Sequence, residues 1–198
     1  MVGLEKIEDT RDPDARVFLH GLSWWQFESM LAIRGDQAGP RLAFLEGTLE
    51  LMSPSQSHEG IKTMLARLVE AYAEEAGVTL NGYGSLTMRN PSVARAAEPD
   101  ECYVVGGGSG EPNLVIEVIW TSGGLDKRRL YAGLGVAELW EWRHGQLQIL
   151  TLHGDTYVAI ARSALLPGLD PDVLVRFVSA TDQTAAVRAF RKALREPA

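Results

Sequence analysis

A chain of 198 residues, 45% hydrophobic and 23% charged, can bury one core without a disulfide or a structural metal, which excludes a disordered or fibrous architecture. A net charge of −7 and a pI near 5.1 exclude binding of nucleic acid by bulk electrostatics alone, since a polyanion is held mainly by Lys and Arg. Cys102 is the single cysteine; it rules out an internal disulfide or a cysteine-built zinc ribbon and fits a reducing compartment, by default the cytoplasm.

The opening stretch MVGLEKIEDTRDPD is charged throughout and lacks the apolar core of a signal peptide, so secretion is not expected. Ser23 is placed to cap a helix through Trp24, Phe27, Met30 and Leu31 that stops near Gly35. Residues 42–52, two apolar runs around Gly47-Thr48, predict a hairpin followed by a turn at Ser53-Pro54. Ser57, with Glu59 in the first turn, opens a long helix whose apolar positions Ile61, Met64, Leu65, Leu68, Val69 and Tyr72 recur at helical spacing up to Gly77. Residues 78–88, 100–105 and 114–120 have strand character, broken by Asn90-Pro91 and by the cluster from Gly106 to Gly110. The third reads as a buried central strand and is far too short to cross a bilayer. A shorter helix over 125–134 ends at Gly135, strands follow over 138–142, 147–152 and 157–160, and an amphipathic helix spans 181–194. No repeat or flexible linker divides the chain, so residues 1–198 are expected to form one α/β (α+β) domain, a mixed sheet flanked by helices.

Glu117 stands inside Leu-Val-Ile-Glu-Val-Ile-Trp, and an ionised carboxylate in a central strand is costly unless paired or metal-bound. Pro99-Asp100 begins the preceding strand. If the two strands are neighbours, both acids meet at one edge of the sheet, where carboxylate oxygens suit Mg²⁺. The other reading is an ion pair from Glu117 to Arg128 or Arg129. Lys127, ten positions on, can stabilise developing negative charge or help deprotonate a water; the other reading is a solvated lysine in a basic run.

Several segments taken together carry a resemblance. They are Leu45-Glu46-Gly47 with Met52-Ser53-Pro54 and His58; Glu98-Pro99-Asp100-Glu101-Cys102-Tyr103; Leu114-Val115-Ile116-Glu117-Val118; and Lys127 with Tyr131, Gly135-Val136 and Glu138-Leu139-Trp140. As a set these resemble the PD-(D/E)XK nuclease superfamily, and within it the Uma-two family of restriction-endonuclease-like proteins, a domain of unknown function. The likeness covers about residues 44–142 and continues more weakly through Arg162-Ser163 and Leu166-Pro167. It implies a restriction-endonuclease-like fold in which Asp100 and Glu117 bind Mg²⁺ or Mn²⁺ and Lys127 assists a metal-activated water attacking a phosphodiester. Glu46 would be a further acid nearby and His58 a secondary residue. The superfamily lysine usually lies two residues after the second acid, where this chain has Ile119; in the Uma-like branch the basic residue comes from the following helix, hence Lys127. The implied function is a metal-dependent endonuclease acting on nucleic acid, with DNA the expected substrate. The alternative is a catalytically inactive domain of the same fold that binds nucleic acid or a protein partner, a second copy included.

Other signals have plain readings beside functional ones. His58 with Glu59 suits a helix start complementing the dipole as well as a site. Cys102 shares a strand face with Asp100 but has no activating histidine at a suggestive spacing, which favours a buried cysteine. The glycine cluster lacks a following Lys-Ser/Thr and reads as a hairpin loop. Trp120, Trp140, Trp142 and Tyr131 could stack on bases, but more often such residues fill a core or a dimer surface. The four histidines are too scattered for a zinc site.

Overall fold

The computed structural model describes residues 13–35, 37–108, 110–120 and 123–196. The charged opening stretch up to residue 12, and Ser109 of the glycine cluster, lie outside the described residues. The chain runs β1 (Ala15–Leu19), α1 (Trp24–Arg34), β2 (Arg41–Leu45), β3 (Thr48–Ser53), α2 (Gln56–Ala76), β4 (Leu80–Gly82), β5 (Met88–Asn90), β6 (Arg95–Ala97), β7 (Glu101–Val105) and β8 (Leu114–Val118). It continues with α3 (Lys127–Leu134), β9 (Glu138–Arg143), β10 (Gln146–His153), β11 (Thr156–Ile160), α4 (Pro171–Val178) and α5 (Gln183–Arg195).

The strands form two sheets, β1-β3-β2-β6-β5 and β11-β10-β9-β8-β7-β4, where the sequence led us to expect one mixed sheet. The division falls inside the segment 78–88. Its first part, β4, pairs with β7 in the second sheet, whereas β5 pairs with β6 in the first. The α+β class stands. Pairing is antiparallel apart from β8 and β9, which run parallel with α3 as the crossover between them.

Alternation explains how the layers stack. In β2, Leu42 and Phe44 face α1 and pack with Phe27, Leu49 and Ala96, while Ala43 and Leu45 join a second cluster with Met88 and Ala97. That second cluster also takes Cys102, Val115, Leu139 and Leu150 of the second sheet, together with Leu130 and Tyr131 of α3. The opposite face of the second sheet, with Tyr103, Leu114, Ile116, Trp140 and Ile149, is covered by α2, α4 and α5. The second sheet therefore lies between three helices on one side and α3 with the first sheet on the other. β8 is buried throughout, which accounts for its apolar character on both faces.

Helix α1 is capped by Ser23 and ends at Gly35, as its spacing predicts. The cap of α2 is Ser55 and not Ser57: its hydroxyl accepts from His58 N, two residues earlier than expected. Strands β1 and β6 and helix α4 were not predicted. β6 has only three residues and is held by pairing to β2 and β5. Among the described residues no helix is long and apolar enough to cross a membrane.

Candidate active site

Glu117 is 3% exposed and sits near the C-terminal end of β8, the end where a β-α-β crossover leaves room for ligands. The chain then turns into α3, capped by the Asp126 side chain accepting from Arg129 N and closed by Gly135 in the left-handed region. Lys127 and Tyr131 are four residues apart on α3 and so share the face toward β8. Lys127 Nζ lies 3.3 Å from Glu117 Oε1, and the Tyr131 hydroxyl donates to the same oxygen. Burial, then the Glu117 charge, pushes the Tyr131 phenol well above its ordinary value, so it stays a donor. Glu117 Oε2 receives no hydrogen bond from the described residues. The arginines considered as partners lie elsewhere: Arg128 binds Glu141 at 2.6 Å and Arg129 pairs with Glu46.

Asp100 is 1% exposed. The β7–β8 register pairs Glu101 with Ile116, so one further rung brings Asp100 beside Glu117. Its Oδ2 accepts from Val118 N at 2.7 Å. Its Oδ1 lies 2.9 Å from His58 Nε2 and against Arg41. Neither contact has the geometry of a directed hydrogen bond, and the oxygen is buried between them. His58, fully buried in the first turn of α2, places its other ring nitrogen 3.1 Å from Asp14 Oδ2.

A cavity of about 940 Å³ opens at this end of the sheet, and Glu117, Lys127, Glu50, Arg16 and Val118 line it. Glu50 of β3 is 2% exposed, accepts from Leu125 N at 2.7 Å and lies 3.4 Å from Arg16 Nε. A side chain at Gly124 would come within 3.2 Å of its Oε2, so glycine lets the loop before α3 close over this carboxylate. Glu50 escaped the sequence reading because Leu-Glu-Leu in a hairpin strand looks like ordinary alternation with the polar residue outward. In the fold Glu50 shares the face of its cross-strand partner Ala43, which is turned toward the second sheet and closed by the loop entering α3, and nothing local in the sequence signals this. Glu46, expected to be the nearby acid, does not line the cavity. It occupies the β2–β3 turn, where Glu46 and Gly47 both have positive φ, and it is paired at the surface with Arg129.

The remaining candidates resolve as core. Burial pushes the Cys102 thiol up to about 11, and its Sγ donates to Gly84 O at 3.2 Å, so it is neither nucleophile nor soft metal ligand. Trp140, Trp142 and Tyr131 are buried and offer no exposed platform for bases. Gly106 to Gly108, all at positive φ, form the β7–β8 hairpin loop.

Among the described residues no three His, Cys, Asp or Glu form a ready-made metal cage. The donor set still fits a hard divalent cation. Asp100 Oδ1 is a buried carboxylate oxygen in contact with Arg41 and His58 just outside the cavity lining, Glu117 Oε2 is uncommitted among the described residues, and Glu50 lines the cavity with Glu117. Mg²⁺ is typically held by one or two carboxylates with waters and substrate phosphates completing its shell.

Fold and site together define a restriction-endonuclease-like α+β domain. A family model described as "Putative restriction endonuclease", Uma2, matches residues 24–181, and the chain belongs to that family. The match spans Glu50, His58, Asp100, Glu117 and Lys127; Asp14 and Arg16 precede it. No curated protein matches the chain.

Proposed function

We propose that this protein is a metal-dependent endonuclease that hydrolyses phosphodiester bonds of DNA at the cavity lined by Glu117. The observation that carries the reading is the convergence of Glu117, Glu50 and Lys127 on one cavity, one rung from Asp100, in a chain of a nuclease family. Asp100 and Glu117, with Glu50, are the residues that would hold Mg²⁺ or Mn²⁺. When bound, such a cation lowers the pKa of a coordinated water and neutralises phosphoryl charge. Lys127 keeps an ammonium 3.3 Å from Glu117 Oε1, where it offsets negative charge that grows on a phosphate in the cavity. Tyr131 fixes the Glu117 rotamer, so the other oxygen faces the reacting group. Arg16 pairs with Glu50, and both line the cavity.

One observation favours a second reading. Arg41 already pairs with Asp100, and His58 Nε2 lies against the same oxygen, as they would in a catalytically silent domain that binds nucleic acid or a protein partner.

Nicking of supercoiled plasmid in Mg²⁺ or Mn²⁺ separates the two. Wild type is expected to nick, and Glu117→Gln and Lys127→Ala to lose at least a hundredfold in rate, within the range typical for one positioned charge or proton-transfer group. Equal nicking by Lys127→Ala removes that residue from the mechanism, and absence of nicking by wild type favours the silent domain.

A further inference from the structure

Four buried or half-buried contacts link Asp100 to Glu50 through His58, Asp14 and Arg16, of which only Arg16 lines the cavity. Asp100 Oδ1 lies 2.9 Å from His58 Nε2, and His58 Nδ1 lies 3.1 Å from Asp14 Oδ2. Arg16 Nη2 reaches Asp14 Oδ2 at 3.2 Å, and its Nε lies 3.4 Å from Glu50 Oε1. The side chains of Asp14 and His58 are fully buried.

Asp14 and Arg16 stand at the start of β1, and His58 stands in the first turn of α2. Asp14 immediately precedes β1, and its Oδ1 accepts from Ser55 N at 2.9 Å. Ser55 in turn caps α2 through His58 N. The imidazole has a carboxylate on each ring nitrogen, so it cannot rotate without breaking a buried contact. Asp14 is thus the hub through which the start of α2, the edge strand β1 and both outlying acids are held in one arrangement. Burial of an imidazole and two aspartates is costly where apolar side chains would pack more cheaply. That cost is accounted for if the network orients ligands, as outer partners of metal-binding carboxylates do.

We propose that Asp14, acting through His58 on Asp100 and through Arg16 on Glu50, is a positioning residue for the cation-binding acids. The inference rests on the metal-binding reading given above. It extends the site to β1, ahead of the segment that the family model matches. Asp14 touches neither cation nor substrate, and its effect is on affinity through geometry.

The test is calorimetric titration of the full chain with Mn²⁺, with circular dichroism and thermal unfolding recorded on each variant. Asp14→Asn and His58→Gln are expected to weaken Mn²⁺ binding by about 10- to 100-fold while keeping native secondary structure. His58→Ala is expected to weaken it more than His58→Gln, which retains an amide. Glu138→Gln is the control for general loss of a buried carboxylate. Glu138 accepts from Trp140, Ser163, Ala164 and Leu165 at the other end of the parallel strands, and this variant is expected to bind Mn²⁺ as wild type does. Wild-type affinity in both Asp14→Asn and His58→Gln, or an equal loss in Glu138→Gln, overturns the inference and leaves the metal reading standing. Absence of Mn²⁺ uptake by wild type overturns both.

Discussion

Glu98 and Glu117 are both buried glutamates, yet their surroundings differ in a way that separates a structural acid from a candidate ligand. Glu98 has both oxygens engaged: Arg34 forks across them, Thr87 donates to Oε1 and Leu42 N to Oε2. Among the described residues Glu117 has hydrogen-bond partners on Oε1 alone. Burial tends to raise the Glu98 pKa, but Arg34, Thr87 and the Leu42 amide outweigh it and hold this carboxyl below its ordinary 4.5. A depressed pKa in the folded state contributes stability that is present above 4.5 and is lost as pH falls through the lower folded value. Glu98→Gln is therefore expected to cost roughly 3 kcal/mol at neutral pH, as breaking a buried ion pair does. In urea titrations that difference from wild type should narrow in acid below 4.5; a pH-independent difference would contradict it. That Glu117 would have a partner was legible in sequence, because a lone charge in an apolar strand demands one, whereas Asp100 and Lys127 gained their expected roles mainly from the resemblance. Glu50 and Asp14 were not legible, since one mimics an outward residue and the other ends a charged stretch.

At the scale of elements, the start of α2 does two jobs. The Ser55 hydroxyl caps the helix, and the Ser55 N–H fixes Asp14. Ser55→Ala removes only the cap and is expected to cost about 1 kcal/mol in chemical denaturation, with Ser55→Thr restoring most of it. A loss no larger than that of an exposed surface substitution would show that tertiary packing alone holds this end. The long helices were legible from spacing and capping residues, and α1 begins and ends where Ser23 and Gly35 say. The misplaced cap at Ser57 arose because Ser55 and Ser57 are equally good acceptors, and only the contact with Asp14 and the path of the chain select the first. The three-residue strands β4, β5 and β6 carry too few residues for alternation to show. They exist because neighbours pair with them, and that is tertiary information.

For the whole molecule, two sheets packed around α3 put the C-terminal end of β8 at the junction of layers, with β3 of the first sheet supplying Glu50 and the second sheet supplying Glu117. Sequence pattern carried the class but not the division into two sheets, because nothing local in residues 78–88 says that β4 near its start and β5, which begins at Met88, pair with different partners. Of the two hairpin acids, Glu46 of the turn pairs with Arg129, whereas Glu50 of the strand lines the cavity. An overall charge of −7 opposes a polyanionic substrate less if the acids at this junction are offset by a cation. The direct measurement is Mn²⁺ uptake by the wild-type chain and by Glu117→Gln. One saturable site in wild type, lost or weakened at least tenfold in Glu117→Gln without loss of fold, is the expected result. Identical uptake by both proteins would contradict the placement of the ion at Glu117.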